Sequence, residues 1–220
     1  MTELDQLLLN FEIQKSYRVE DFIVSKSNFF AYRIIESWPN WEKKILNVHG
    51  ERFSGKTHLS KIFVKKNKGI ILDAKKFKFD SPDQLRFYQN IVLDDFIEQV
   101  DENSIFSLIN FADQNSKFLI INSIKPFNKM NFTLKDLVSR SKNCLEAKIL
   151  EPDDEMIKVL IAKNLSDKQV KIDNKLIEFV VKRITRSYGK IFEFIYKIDE
   201  ISLKKKKSID QKTIKEALAV

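Results

Sequence analysis

Two of the chain's four glycines stand in Gly50-Glu51-Arg52-Phe53-Ser54-Gly55-Lys56-Thr57, the spacing G-x-x-x-x-G-K-[ST] of a loop that wraps a phosphate. The residue types follow from that task. Glycine lets the backbone curl until its N–H groups converge on phosphate oxygens. The helix that starts where the loop ends turns its positive dipole toward the same anion. Lys56 reaches the β- and γ-phosphates, and the Thr57 hydroxyl is placed to ligate Mg²⁺. Such a loop needs a buried strand before it and a helix after it. Ile45-Leu46-Asn47-Val48 reads as that strand, and the apolar spacing of Leu59, Ile62 and Phe63 continues from Thr57 as that helix. The expected ligand is a nucleoside di- or triphosphate.

Four further apolar runs read as strands: Gly69-Ile70-Ile71-Leu72, Asn90-Ile91-Val92-Leu93, Phe118-Leu119-Ile120-Ile121-Asn122 and Ala147-Lys148-Ile149-Leu150. Helical spacing separates several of them. Ser27-Asn28 reads as the cap of a helix running to about 37, and a second helix is expected over about 103–114. Short apolar strands alternating with helices predict an α/β fold, a parallel sheet of about five strands covered on both faces. After Pro152 no strand pattern remains, and helices are expected over 156–164, 174–183, 190–203 and 210–219. The predicted organisation is a polar N-terminal segment, 1–20, an α/β nucleotide-binding core, 21–151, and a helical lid, 152–220.

Composition narrows the setting. Apolar residues make up 43% of the chain, and no run is long enough to span a bilayer, so a membrane protein is not expected. A single cysteine, Cys144, excludes an internal disulfide and suits a reducing, cytoplasmic location. The net charge of +8, with the run Lys204-Lys205-Lys206-Lys207, fits either weak, non-specific attraction to nucleic acid or a solvated lysine-rich surface.

The second half of a nucleotide site is also readable. Ile91-Val92-Leu93-Asp94-Asp95 is a buried run delivering carboxylates at its C-terminal end, where open α/β sheets bind ligands. Asp94 is the candidate for holding Mg²⁺, directly or through water. Asp95 stands where a water-polarising base is expected. It is a methylene shorter than glutamate, which predicts slow hydrolysis. Asn122 ends its strand either as a contact to the γ-phosphate or its water, or as a strand-end cap. Arg140, between a helix and the last strand, is either a finger for a neighbour's nucleotide or a surface arginine.

Taken together, these features resemble an AAA+ ATPase, and within that group the DnaA replication-initiator branch. Phe22-Ile23-Val24-Ser25-Lys26-Ser27-Asn28 resembles that branch's segment enclosing adenine, which implies cofactor contacts from Phe22 and Ile23, and Val92-Leu93-Asp94-Asp95-Phe96 resembles its carboxylate strand. No stretch after the lid matches the family's DNA-reading helix-turn-helix domain, an expected absence that points to the short DnaA-related regulators of the Hda type, best in their alphaproteobacterial form. Gln6-Leu7-Leu8-Leu9-Asn10-Phe11 resembles the Q-L-x-L-x-[LF] peptides that dock on the bacterial sliding clamp. In that reading Leu7, Leu9 and Phe11 fill apolar pockets and the Gln6 amide supplies directional hydrogen bonds. Standing alone, a glutamine before three leucines is more often the start of an amphipathic helix. The family's lid arginine aligns with Gly189, leaving Arg186 or Lys190 as the nearest substitutes.

The resemblance implies a regulator that binds ADP or ATP with Mg²⁺, docks on the DNA-loaded clamp and stimulates ATP hydrolysis by DnaA. Arg140 would enter the partner's site, and contact with DNA would be only indirect or non-specific. A homodimer is a further assembly open to it. Two other readings stand beside this one: an active AAA+ loader or motor, and a non-catalytic DnaA-like adaptor.

Overall fold

The computed structural model describes residues 17–80, 82–205 and 209–218. Five strands, β1 (Ile45–His49), β2 (Gly69–Asp73), β3 (Asn90–Phe96), β4 (Phe118–Ser123) and β5 (Leu145–Lys148), form one sheet in the order β2-β3-β4-β1-β5. Every neighbouring pair is parallel. Helix α1 (Phe29–Glu36) precedes β1, helices α2 (Lys56–Asn67), α3 (Asp83–Arg86), α4 (Glu102–Gln114) and α5 (Lys135–Lys142) connect the strands, and α6 (Asp154–Asp167), α7 (Asn174–Val181), α8 (Tyr188–Lys205) and α9 (Gln211–Leu218) follow. No strand follows β5 among the described residues.

The continuous apolar runs of β3 and β4 have a direct cause: both faces of the sheet are covered there. Side chains alternate across a strand, so Ile91, Leu93, Leu119 and Ile121 enter one core with Leu108 and Ile109 of α4 and Leu137 of α5. Their neighbours Val92 and Ile120 enter the other, with Leu46 and Val48 of β1, Ala31 and Ile35 of α1, and Leu59 and Phe63 of α2. A third apolar cluster, built on Ile157, Ile161, Val180, Ile191, Ile198 and Ile214, belongs to the C-terminal helices. The fold is therefore an α/β core with a helical lid packed from its own apolar faces.

Two sequence expectations shift, and one helix is unforeseen. The last strand begins at Leu145, two residues before the predicted start, because Leu46 of β1 pairs with Leu145. Ile149 still donates its N–H to His49 O at 2.8 Å, whereas Leu150 turns away to donate to Ser27 O, also at 2.8 Å. Asn28 precedes α1, but its side chain does not cap the helix. It faces backward: Oδ1 accepts from Ser25 N at 2.9 Å and Nδ2 donates to Ile23 O at 2.8 Å. Finally, α3 is a short helix in a stretch with no periodic signal. Where a carboxylate precedes a helix the expected capping is present. Asp101 accepts from Asn103 N and Ser104 N, Asp153 from Met156 N, and Asp173 from Lys175 N.

Candidate functional site

Strand order brings the site together. With β4 lying between β1 and β3, a polar residue near the end of β4 must stand between the loop that follows β1 and the carboxylates of β3. The loop itself needs its glycines. A Cβ on Gly50 would lie 2.9 Å from Ile149 O, and Gly55 sits at φ 94° as the residue before α2. Phe53 shares the left-handed region at φ 66°.

Lys56 turns its ammonium back over the loop, donating to Gly50 O at 2.8 Å, Glu51 O at 2.7 Å and Ser54 Oγ at 3.4 Å. Burial lowers its pKa to about 8, against the pull of Asp94, Asp95 and Glu51 in the other direction. A cation held with its charge poorly solvated is ready for a polyanion. Thr57 donates its hydroxyl to Asp94 Oδ1 at 3.1 Å. Asn122 donates through Nδ2 to the same Asp94 Oδ1 at 2.7 Å and to Ser60 Oγ at 2.8 Å, while its buried Oδ1 has no hydrogen-bond partner among the described residues. An unpaired buried acceptor beside a carboxylate suits a water or another donor brought by a ligand.

Thr57, Asp94 and Asn122 are thus one hydrogen-bonded constellation, with the charge of Lys56, the residue before Thr57, acting on the same carboxylate. Its donor set of hydroxyl and carboxylate oxygens fits Mg²⁺, which keeps waters and phosphate oxygens as its remaining ligands. Thr57 and Asp94 would hold the ion. Among the described residues no cluster of three or more His, Cys, Asp or Glu offers a complete protein cage.

Asp95 takes a different position. Its backbone lies at φ 60°, at the place where the β3–β4 register shifts, and its exposed carboxylate pairs with Lys75 Nζ at 2.7 Å. Phe22 lies over the loop, with one ring atom 3.3 Å from where a Cβ on Gly55 would be. Its ring stacks on Tyr32 at 6.1 Å and meets His58 edge-on at 5.3 Å. Ile23 packs beside it against the core of β1 and α2.

The two arginines singled out in the sequence sit apart from this constellation, each in a surface ion pair. Arg140 is 3.2 Å from Asp113, and Arg186 is 2.8 Å from Asp154. Lys190 pairs with Glu193 at 2.9 Å. Gln6, Leu7, Leu9 and Phe11 lie outside the described residues.

Sequence reasoning did not find Ser60, Lys75 or Glu51. The Glu51 carboxylate accepts from Ser187 Oγ, from Tyr188 N at 2.9 Å and from Gly189 N at 3.2 Å, joining the phosphate loop to the start of α8. Only Ser60, one turn along α2 from Lys56 and Thr57, carried a signal that helical spacing could have revealed.

No family model matches the sequence, and no curated protein matches it. Solved structures do. Domain III of the replication initiation protein DnaA from Thermotoga maritima superposes with a TM-score of 0.73 at 21% identity, over 92% of this chain and 95% of that one. AMPPCP-bound DnaA from Aquifex aeolicus gives 0.64 at 22% identity, over 84% of this chain and 64% of that one. A RuvB mutant from Thermotoga maritima gives 0.69 at 14% identity, over 93% and 72%. No helix among the described residues is long and apolar enough to cross a membrane. Likeness over nearly the whole chain, with the phosphate loop, Asp94 and Asn122 gathered at the ends of neighbouring parallel strands, shows that this chain shares the fold of DnaA domain III.

Proposed function

We propose that the chain is an adenine-nucleotide-binding regulator of replication initiation that stimulates ATP hydrolysis by the initiator DnaA. The observation that carries this reading is the hydrogen-bonded set of Thr57, Asp94 and Asn122 beside the Lys56 ammonium, on a fold shared with DnaA domain III over 92% of the chain. The AMPPCP bound by DnaA of Aquifex aeolicus favours adenine as the base here. Bound ADP or ATP would lie on the loop N–H groups and Lys56, with Mg²⁺ on Thr57 and Asp94 polarising the phosphates. Phe22 and Ile23 would flank the base, and Arg186 or Lys190 would approach from the lid once released from Asp154 or Glu193.

Hydrolysis by this chain itself is slow in this reading. Asp95 is short, its backbone is turned into the left-handed region, and its carboxylate is engaged by Lys75. The catalytic contribution goes to a partner: Arg140, half-exposed and held by Asp113, is free to leave a weak surface pair for a phosphate on DnaA. Docking on the DNA-loaded sliding clamp through Gln6 to Phe11 would bring the protein to its target, with the nucleotide stabilising the competent fold by mass action.

The RuvB likeness favours a second reading, an ATP-driven motor or loader. One assay separates the two: hydrolysis by ATP-loaded DnaA with DNA-loaded clamp, adding wild type, Gln6→Ala or Arg140→Ala. Acceleration by wild type and its loss in both variants is the expected result. No acceleration, together with brisk turnover by the chain alone, replaces the regulator with the motor.

A further inference from the structure

Glu51 is engaged at both ends. Its carbonyl oxygen accepts from Lys56 Nζ at 2.7 Å, inside the phosphate loop. Its carboxylate lies at the start of the 18-residue helix α8, accepting from Ser187 Oγ and from the backbone N–H groups of Tyr188 and Gly189. The first N–H groups of a helix have no partner within it, and its dipole favours an anion there, so a carboxylate satisfies both needs. Two further contacts reinforce the junction. The ring of Phe53, also in the loop, lies 5.4 Å from that of Phe192, and the buried Tyr188 shares a hydrogen bond with Ser27 Oγ at 3.1 Å. Gly189 leaves room for the carboxylate, since a Cβ there would stand 3.3 Å from Glu51 Oε1.

We propose that Glu51 is a positioning residue that docks the lid helix α8 onto the phosphate loop without help from the γ-phosphate, so that the lid is held alike over ADP and ATP. The N–H groups of Tyr188 and Gly189 are occupied by the protein's own carboxylate and are not left for a phosphate oxygen. Charge-assisted bonds of this kind are about twice as strong as neutral ones. The part concerning ADP and ATP rests on the nucleotide reading above; the docking itself does not.

Amide hydrogen exchange on the full chain tests this directly, using wild type and Glu51→Ala with no nucleotide, with ADP and with AMPPCP. In Glu51→Ala, Tyr188 and Gly189 exchange about tenfold faster or more in all three conditions, while amides of β1 and β4 stay within about twofold of wild type. A role in general stability alone would move the sheet amides as well. In wild type, ADP and AMPPCP give the same exchange along the start of α8. Unchanged exchange at Tyr188 and Gly189 in the variant overturns the docking. Several-fold stronger protection by AMPPCP than by ADP in wild type overturns the independence from the γ-phosphate. Should Glu51→Ala not fold, Glu51→Gln keeps the shape and one acceptor oxygen, and the same amides decide. Failure of wild type to bind either nucleotide sinks the nucleotide reading, while the rates without nucleotide still judge the docking.

Discussion

The side-chain amide of Asn122 donates to Asp94 Oδ1 at 2.7 Å, tying the end of β4 to the carboxylate of β3. The same oxygen accepts from Thr57 at 3.1 Å, so one carboxylate atom collects the phosphate-loop helix and both central strands. An ion bound at Asp94 must compete with two neutral donors and, among the described residues, with no close ion pair, the Lys56 charge acting only from beyond contact. That arrangement holds the carboxylate in place without fixing it in an ion pair.

Replacing Asn122 by aspartate turns this donor into a second carboxylate in a fully buried position. Two carboxylates in contact, one fully buried and the other half-buried, cannot both ionise cheaply, so one acquires a folded-state pKa well above its unfolded value. Asn122→Asp is expected to lose about 3 kcal/mol of stability at pH 7. The raised pKa sets the direction. The penalty is absent where the carboxylate is protonated in both states and grows as pH rises toward the folded pKa, so the gap to wild type narrows on acidification from pH 7 to 5. Denaturant melts across that range measure it, and added Mg²⁺ should recover part of the loss.

Asp95 allows catalysis to be separated from stability. Glycine there relieves a left-handed backbone that costs an ordinary residue about 1 kcal/mol, and removes an exposed ion pair worth about as much or less. Asp95→Gly therefore stays within about 1 kcal/mol of wild type in stability. Residual ATP turnover by the chain, if Asp95 supports it, drops by at least tenfold in single-turnover assays. A large stability loss with unchanged turnover would show that Asp95 is structural.

How much of this was legible beforehand depended on the reach of each interaction. The phosphate loop, the carboxylates after Leu93 and the polar end of β4 are local patterns, and they come together because parallel strands align their C-terminal ends. The end points of β5 were not local. Pairing with β1 begins at Leu145 even though the more apolar residues, Ile149 and Leu150, come later. Lys75 and Asp95 are 20 residues apart, and Glu51 and Tyr188 are 137 apart, so nothing in either neighbourhood announces the partner. Asn28 has the residue type of a cap, yet its side chain is taken by Ser25 and Ile23. Local chemistry names candidates, and tertiary competition decides among them.

Cys144 offers a reporter of opening. It is buried, donates its thiol to Ser141 O at 3.0 Å, and burial pushes its pKa up to about 11. At pH 8 roughly one thiol in a thousand is then the reactive thiolate. Iodoacetamide at pH 8 is expected to label the folded chain at least ~100-fold more slowly than the urea-unfolded chain. Similar rates in the two states would mean that the β5 edge opens readily.

Lys56 makes nucleotide binding pH-dependent within an accessible range. Its folded pKa of about 8, set first by burial, lies below the ordinary lysine value. The unfolded chain therefore binds more protons than the folded one between that pKa and about 10.4, and the burial penalty, full below pH 8, is relieved as pH rises through the window. Phosphate binding has the opposite requirement. The ammonium must be charged to meet the β- and γ-phosphates, and a bound polyanion raises its pKa again. Affinity for ADP is thus expected to be nearly flat from pH 6.5 to 7.5, then to fall toward tenfold per pH unit above 8, with uptake of up to about one proton per nucleotide. Calorimetry in buffers of different ionisation enthalpy counts that proton directly. Lys56→Arg, whose guanidinium stays charged throughout, should remove the uptake even if it binds more weakly. Proton uptake that persists in this variant would assign the titration to another group, such as His49, whose pKa burial also lowers against the opposing pull of Glu146.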